Sequence, residues 1–436
     1  MDARLQLRYR QLVVEHLHGA DPLAAGIHAL SIPGLADGFA AVLGACRFLH
    51  NDAIDLPTLM EPLHQVARQW DQQPASDWGL AVHDWSALKY PAHTSKTDRI
   101  KLGKYTKHGY ELATVLLVDG GDGTPVAPLE MRLLTRRGVC SSRTPAPKKT
   151  AYRIDEVLAS MQAARALGLH KRLVHVIDRE ADSLAHYRNW HADGHTFLVR
   201  ADGERLVRWQ DEELSLDALN QRLHNGGHFQ RSRPVSYQGQ AAVQYVAETT
   251  VVLDRPAWRC RKKNGKRRLQ RLPGPAITLR LIVSRVTDAT GKTVAVWYLL
   301  TNVPHAVDKA LLALWYYWRW RIESFFKLLK SAGQQVESWQ QETGEAIAKR
   351  LLVAAMACAL VWQIDRHPAP EAATLRQLLV KLSGRQMKYK KTHTIPALLA
   401  GLWVFVTMLE TLAQHSVEEL RSLAKYVSFS LPKDTG

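Results

Sequence analysis

The sequence predicts a mixed α/β protein, with an α/β core interrupted by a β-rich insertion and helical regions at both ends. Strand-like runs alternate with helical patterns over residues 76–203, whereas residues 204–303 are dominated by strand-like runs. The chain has 436 residues, of which 46% are hydrophobic and 23% are charged. This is an ordinary globular composition, and the length favours roughly two to four structural units.

The first elements are predicted from the local pattern of apolar and polar residues. Residues 1–75 alternate apolar runs with short polar breaks and lack a strong strand pattern, so they are predicted to form a helical domain. From residue 79 the texture changes, and Gly79-Leu-Ala-Val-His-Asp84 is typical of a strand. Further strands are predicted at 110–118 and 127–134, on either side of the glycine-rich turn at 120–123.

The remaining elements follow the same logic. Predicted helices lie at 154–167, 181–190 and 307–332, and predicted strands lie at 173–177, 197–200, 241–253, 276–286 and 293–300. Residues from 340 onward are mainly helical, with a loop at 383–394. The predicted domains are 1–75, 76–203, the β-rich insertion 204–303, a helix region 304–340 and a helical region 341–436.

The charge of the chain indicates a polyanionic partner. The net charge is +17, and the first 75 residues hold 5 Lys+Arg against 8 Asp+Glu, which leaves 53 against 33 for the rest. Such an excess of positive charge favours binding to nucleic acid. The negative balance of residues 1–75 argues against a role for them in reading DNA sequence.

Cysteines and apolar runs bear on the compartment. The four cysteines lie about a hundred residues apart, without the close pairs of a zinc or redox site, and the start of the chain lacks the pattern of a signal peptide. The apolar runs 351–362 and 395–409 are shorter than the roughly 20 residues that span a bilayer, so both are predicted to be buried helices. We therefore expect a cytoplasmic protein without a membrane partner.

A helical segment near the end of the core carries the most informative pattern. At about 100° per residue, Tyr316, Arg319, Glu323 and Lys330 fall on one helix face, which carries a carboxylate flanked by cations. Taken alone, such a face is more often an ordinary solvated surface. The spacing Y-x2-R-x3-E-x6-K, however, resembles the signature of DDE transposases of the bacterial insertion-sequence-four family.

A second stretch, Val176-Ile-Asp-Arg-Glu-Ala-Asp182, resembles the motif around that family's second catalytic aspartate, at the end of a buried strand. The resemblance implies that Asp178 is that residue, although an aspartate between a strand and a helix can equally be a helix N-cap. The first catalytic aspartate lies on the first strand of the family's ribonuclease H-like core, where this chain has Asp84. Asp84, Asp178 and Glu323 are the implied catalytic and metal-binding residues.

The resemblance also implies a cofactor and DNA contacts. Three carboxylates can hold two Mg²⁺ ions, about 4 Å apart, and Mn²⁺ is expected to substitute. Tyr316, Arg319 and Lys330 would contact backbone phosphates. Trp297 has the position of a tryptophan that stacks on a flipped base in the family, but a strand tryptophan is as often a core residue.

Two basic segments extend this prediction. Residues 255–272 contain nine Lys+Arg and no acid around a predicted hairpin tip, so they are expected to contact the DNA backbone. The residues singled out there are Lys262, Lys263, Arg267 and Arg268. A second basic loop, expected to follow DNA, holds Lys96, Arg99, Lys101, Lys104 and Lys107. Either segment could instead be a solvated run of charges.

By resemblance, residues 45–51 end a DNA-end-binding domain, and residues 376–414 belong to a dimerisation region. The implied activity is cut-and-paste transposition by a homodimer in the bacterial cytoplasm, on double-stranded DNA that carries inverted-repeat ends and on target DNA. Two alternatives stay open: a nuclease of the same fold that cuts without joining, and a domesticated DNA-binding protein that has lost catalysis.

Overall fold

A computed structural model describes residues 1–16, 43–74, 76–103, 107–148, 154–263, 266–388, 391–424 and 426, without the side chains of residues 15 and 259–269. The chain divides into two units. The sheet unit comprises Asp55–Lys327 and Glu342–Leu352, and the helical unit comprises Met1–Ile54, Leu328–Gln341 and Val353–Gly436.

The sheet unit is built on one large mixed sheet, which has 13 strands within the described residues. Its strands are β1 (Trp78–Lys89), β2 (Ile100–Leu102), β3 (Lys107–Asp119), β4 (Pro125–Thr135), β5 (Gly138–Ser141), β6 (Arg172–Ile177), β7 (Phe197–Ala201), β8 (Leu206–Trp209), β9 (Glu212–Ser215), β10 (Gln230–Tyr237), β11 (Gln240–Leu253), β14 (Ile277–Asp288) and β15 (Thr293–Thr301). A separate two-stranded ribbon pairs β12 (Ala257–Lys263) with β13 (Lys266–Leu272).

The strand order is β5-β4-β3-β1-β6-β7-β15-β14-β11-β8-β9, with β2 beside β3 and β10 beside β11. Strands β1, β3, β4 and β5 pair antiparallel, whereas β1, β6 and β7 run parallel to one another. From β7 onward the pairing is again antiparallel. The parallel centre of the sheet therefore directs the carboxyl ends of three neighbouring strands the same way.

Helices occur in both units. The sheet unit holds α2 (Leu56–Asp71), α3 (Glu156–Ala166), α4 (Leu184–Ala192), α5 (Leu216–Asn225), α6 (Lys309–Trp318) and α7 (Trp320–Lys327). Helix α8 (Gly344–Arg366) begins in the sheet unit, and the helical unit holds α1 (Ala3–Glu15), α9 (Pro370–Leu382), α10 (Ile395–Gln414) and α11 (Val417–Ala424).

Helix α2 illustrates how the sequence fixes an element against the sheet. The Asp55 side chain accepts a hydrogen bond from the Thr58 backbone N–H, and a proline occupies the first turn, which is a favourable helix start. Its apolar face is buried, and the Trp70 indole donates to Asp119 at 2.6 Å. The Asp71 carboxylate accepts the backbone N–H groups of residues 170 and 171, which ties the helix to the start of β6.

The two faces of the central strands have different neighbours. Phe197, Val199 and Ala201 of β7 point into a core formed with α3, α4 and α5. Because side chains alternate along a strand, Leu198 and Arg200 point to the opposite face. Helix α6 packs over that side of the sheet, on β11 and β14. The candidate site lies on the same face as Arg200.

The predicted α/β class and the alternation of elements are confirmed, with boundaries that shift by a few residues. The helical pattern predicted over 307–332 is confirmed from Lys309 onward, but it is not one uninterrupted α-helix: it divides at Arg319 into α6 and α7 and ends in a π-helical turn, Leu328–Ala332. The helix predicted to begin at 181 begins at Leu184, after a short 3₁₀ turn.

Two helices in the described residues are long and apolar enough to cross a membrane by composition alone. The first, Gly344–Arg366, has 78% of its most apolar window buried, which confirms its prediction as a buried helix. The second, Ile395–Gln414, has only 22% buried. This helix packs on α9 and buries residues in its first half, but Met408, Leu409 and Leu412 are exposed. The prediction that 395–409 is a buried helix is therefore wrong for its second half.

Candidate active site

Asp84 and Asp178 come together because their strands are parallel neighbours. The register pairs His83 of β1 with Ile177 of β6, so the aspartate that follows each of these residues lies at the same level. Asp178 caps the 3₁₀ turn Arg179–Ala181 by accepting the Arg179 backbone N–H at 2.6 Å. The N-cap interpretation of Asp178 is thus correct locally, and the same side chain also faces the candidate site.

Glu323 is held over these strands by the way α6 and α7 rest on the β3–β4 turn. The Trp315 indole donates to the Gly120 carbonyl at 2.9 Å, and the Arg321 guanidinium donates to the Gly123 carbonyl at 2.8 Å. Gly123 has φ +74°, and a Cβ there would lie 2.4 Å from the Trp318 ring. Only glycine fits this close approach without strain.

One guanidinium contacts all three carboxylates. Arg319 Nη1 lies 2.8 Å from Asp84 Oδ2, and Arg319 Nη2 lies 2.9 Å from Glu323 Oε1 and 3.5 Å from Asp178 Oδ2. The Arg319 side chain is 6% exposed, whereas those of Asp84, Asp178 and Glu323 are 23%, 37% and 38% exposed. The carboxylates therefore remain open to a ligand on the side away from Arg319.

Polar groups around the cluster hold two of the carboxylates in place. The Tyr316 hydroxyl donates to Asp178 Oδ1 at 3.1 Å, and Arg200 Nη1 lies 3.8 Å from the same oxygen. The Trp85 backbone N–H donates to Asp84 Oδ1 at 2.8 Å. These contacts fix the orientation of both aspartates, which a metal-binding or catalytic carboxylate requires.

The site shifts the acidity of its carboxylates in opposite directions. Burial raises the pKa of Asp84 and of Glu323 above their ordinary values, and the Arg319 guanidinium offsets only part of each rise. Burial acts in the same sense on Asp178, but the Arg179 backbone N–H, Arg319 and the Tyr316 hydroxyl together lower its pKa. Two of the three groups thus favour additional positive charge nearby.

The donor set suits a hard divalent cation. Carboxylate oxygens are the ligands that Mg²⁺ prefers, and three acids face a single arginine at the centre of the cluster. Within the described residues, no three His, Cys, Asp or Glu side chains already surround a common point as for one ion. The three acids surround the guanidinium instead. Their oxygen atoms are suitable metal ligands and lie close together, but they are not arranged around one ion position.

The other predicted DNA contacts lie at different places in the fold. Trp297 is half-buried on β15, edge-on to Tyr237 with ring centroids 6.4 Å apart. It lies two residues from Leu299, which pairs with Arg200, and alternation places it on the Arg200 face. Lys330 belongs to the π-helical turn of the helical unit.

The structure bears differently on the DNA contacts predicted for the two basic segments. Residues 255–272 contain the predicted hairpin as β12 and β13, but the side chains of Lys262, Lys263, Arg267 and Arg268 lie outside those described. Lys96 is 1% exposed, with its Nζ 3.2 Å from His93 Nδ1, so its predicted part in a basic loop that follows DNA is wrong. Arg99 donates to backbone carbonyls of the same loop. Lys101 and Lys107 are exposed, and Lys104 lies outside the described residues.

Two residues that position the site are missed by the sequence prediction. Arg200 ends the predicted strand at 197–200, and period-two alternation would have separated it from the apolar face. Gly123 lies in the predicted turn, but its close approach to Trp318 depends on a contact between residues almost 200 positions apart. No local pattern carries that information.

Models of known protein families give no match to the chain, and no curated protein matches its sequence significantly.

Proposed function

We propose that the protein is a cut-and-paste DNA transposase of the DDE type that requires a divalent metal. The observation that carries this proposal is the convergence of Asp84, Asp178 and Glu323, from two parallel strands and a helix, on the same guanidinium. Residues separated by up to 239 positions would not gather there through solvation of a helix face alone. The sequence motifs and the geometry select the same three acids.

The strand order supports a ribonuclease H-like core within the sheet. In that interpretation the core strands are β4-β3-β1-β6-β7, with the first three antiparallel in chain order and the last two parallel to β1. The strands from β8 to β15 then form the insertion, before the chain reaches α7 and Glu323. A core of this kind presents its acids on the central strand, on a neighbouring strand and on a following helix.

Asp84, Asp178 and Glu323 would hold Mg²⁺, or Mn²⁺ in its place. When bound, the metal polarises the scissile phosphate and lowers the pKa of a coordinated nucleophile. The chain's own groups orient two of these acids: Tyr316 and Arg200 fix Asp178, and the Trp85 backbone N–H fixes Asp84. Arg319 would hold a phosphate oxygen beside the acids, since a guanidinium binds phosphate as readily as carboxylate, and Lys330 is proposed to contact a backbone phosphate.

The DNA itself would meet several surfaces. The β12–β13 ribbon carries a run of nine Lys+Arg over residues 255–272, which suits a non-specific backbone contact. Trp297, half-buried on the same sheet face as Arg200, would stack on a base displaced from the duplex.

The exposed apolar residues of α10, Met408, Leu409 and Leu412, would pack against a second subunit in a bacterial, nucleoid-associated homodimer.

A strand-transfer assay tests the proposal. The protein would be incubated with Mg²⁺ and a linear DNA that carries the inverted repeats flanking the gene for this protein. A second DNA would serve as the target. We expect cut ends and joined products, both lost in Glu323→Gln. Cut products without joined products would instead identify a nuclease of the same fold. A shifted but intact DNA would identify a DNA-binding protein without catalysis, and either result would overturn the proposal.

A further inference from the structure

A cavity of about 300 Å³ opens at the edge of the sheet opposite to the acid cluster. Its walls come from the amino ends of the parallel strands β1, β6 and β7 and from the end of α3. Arg172 at the mouth precedes Asp178 by six residues, roughly 20 Å along the strand at about 3.3 Å per residue, and the deepest β6 lining residue, His175, precedes it by three, roughly 10 Å. This cavity, which we call the amino-edge pocket, is therefore separate from the candidate active site.

The amino-edge pocket is rich in cations. Arg165, Lys171 and Arg172 line it, and no acidic side chain is among its lining residues within the described part of the chain. The Arg172 guanidinium lies over the Trp78 ring, 5.4 Å from its centroid, and forms no ion pair with a described carboxylate. Stacking on an indole holds a guanidinium flat and leaves its N–H edge free to bind an anion.

The other two cations are also held by the protein at fixed positions. Lys171 Nζ donates to the Gln73 carbonyl at 2.6 Å and the Ser76 carbonyl at 2.5 Å, neither of which neutralises its charge. Arg165 is held by Asp193 through both terminal nitrogens: Nη2 lies 3.1 Å from Asp193 Oδ2, and Nη1 donates to the Asp193 carbonyl at 2.6 Å. The pocket thus combines three positive groups with one acid outside its lining.

The floor of the pocket is polar but uncharged. His175 and His195 are 2% and 4% exposed, and both line the cavity. His175 Nδ1 lies 2.9 Å from His83 Nε2, and His195 Nε2 lies 2.8 Å from Asp193 Oδ2, so both rings are fixed. Burial lowers the pKa of each histidine. Cations at the mouth above neutral, fixed imidazoles suit a small, hydrated anion with several acceptor oxygens.

We infer that the amino-edge pocket binds a phosphate group, with Arg165 and Arg172 as its principal ligands. The phosphate could belong to the DNA backbone or to a free phosphate or nucleotide, since the recognising chemistry is the same. The inference rests on residues outside the acid cluster, so it does not depend on the proposed function.

Titration calorimetry with inorganic phosphate, against sodium chloride at equal ionic strength and without divalent metal, tests this site. We expect saturable binding with a Kd of about 1 mM, weakened about tenfold in Arg172→Gln and in Arg165→Gln because each removes a charge-assisted hydrogen bond. Arg137→Gln, an exposed arginine in the β4–β5 turn, is the matched control and should bind as the wild type does. Both pocket arginines are exposed enough for the variants to fold, and their melting temperatures would verify this.

Repeating the titration with saturating duplex DNA of unrelated sequence separates the two sources. Loss of phosphate binding indicates that a DNA phosphate occupies the pocket, whereas unchanged binding indicates a free phosphate or nucleotide site. Heats that rise linearly with phosphate, or binding that is equal in the wild type and both pocket variants, would overturn the inference. Neither result would bear on the acid cluster, because the assay contains no metal.

Discussion

Glu130 and Glu156 meet two arginines in one cluster of the sheet unit, whereas Asp84, Asp178 and Glu323 surround a single arginine. In the first cluster Arg132 Nε and Arg143 Nε each lie 2.9 Å from Glu130 Oε1, and Arg143 Nη2 lies 2.7 Å from Glu156 Oε2. Its charges balance, and the Glu130 side chain is only 3% exposed. This cluster of two glutamates and two arginines carries no net charge.

The acid cluster differs in both balance and access. Even with Arg200 at 3.8 Å counted beside Arg319, negative groups outnumber positive ones, and each carboxylate is at least 23% exposed. Excess negative charge that remains partly buried costs folding free energy unless a cation compensates it. The net charge of a cluster, more than its number of ion pairs, therefore distinguishes a structural cluster from a candidate metal site.

The largest effect is expected from the acid cluster. Asp84→Asn, Asp178→Asn and Glu323→Gln should each reduce DNA cleavage by about a thousandfold, equivalent to about 4 kcal/mol of transition-state stabilisation, because one metal ligand is lost. DNA binding in a gel-shift assay should be retained. Near-normal cleavage by any one variant would remove that residue from the site.

The balanced cluster should respond in stability instead. Glu130→Gln leaves Arg132 and Arg143 without their shared partner and should lower the free energy of unfolding by about 3 kcal/mol. Chemical denaturation measures this change. Cleavage per folded molecule should stay normal. A specific loss of cleavage in a stably folded Glu130→Gln protein would contradict a purely structural role for the balanced cluster.

Trp297 tests the sheet face that adjoins the acid cluster. A half-buried ring should cost less stability on removal than a core tryptophan, for which truncation costs about 3 to 5 kcal/mol. We expect Trp297→Ala to melt within about 5 °C of the wild type. On end-labelled DNA it should nick but form few hairpins.

A stable Trp297→Ala protein with a normal hairpin yield would exclude the stacking role. Early melting, with nicking and hairpin formation lost together, would identify Trp297 as a core residue. An abasic nucleotide beside the nick should restore hairpins in the variant if base flipping is the impaired step, since such a position is cheaper to unstack.

The smallest expected effect concerns pH. Because the folded-state pKa of Glu323 is raised above its ordinary value of 4.5, ionised Glu323 opposes folding once the pH exceeds both values. In metal-free buffer at pH 7, Glu323→Gln should therefore melt at or slightly above the wild-type temperature. The difference should shrink as the pH falls below 4.5, where Glu323 is protonated in both states. A variant that melts lower than the wild type at pH 7 contradicts this sign.

Local rules predicted which elements carry Asp84, Asp178 and Glu323, whereas the choice of these three acids rests on the family resemblance of the motifs around them. Asp84 and Asp178 lie on or after apolar strands, and Glu323 lies on a helix with a spaced motif. Period and spacing report on neighbours along the chain. They also predicted the turn at 120–123 and the hairpin between β12 and β13.

The rest depends on contacts between distant residues. Arg319 was predicted as a phosphate ligand, but no local signal indicates that its guanidinium contacts three acids from three elements. Lys96 was predicted to follow DNA from its place in a basic run, yet its side chain is buried, with its amine over the Tyr90 ring at 4.9 Å from the centroid. The second half of α10 was predicted to be buried from its apolar composition, but it is exposed. Composition alone does not distinguish a core helix from an uncovered one.

Binding of Mn²⁺ tests the central claim most directly, because it needs neither DNA nor turnover. Calorimetric titration of the metal-free protein should give saturable Mn²⁺ binding that is lost in Glu323→Gln and in Asp178→Asn. Glu130→Gln, from the balanced cluster, should bind Mn²⁺ as the wild type does when assayed below its melting temperature. Equal Mn²⁺ binding by the wild type and the two acid-cluster variants would contradict the assignment of Asp84, Asp178 and Glu323 as a metal site.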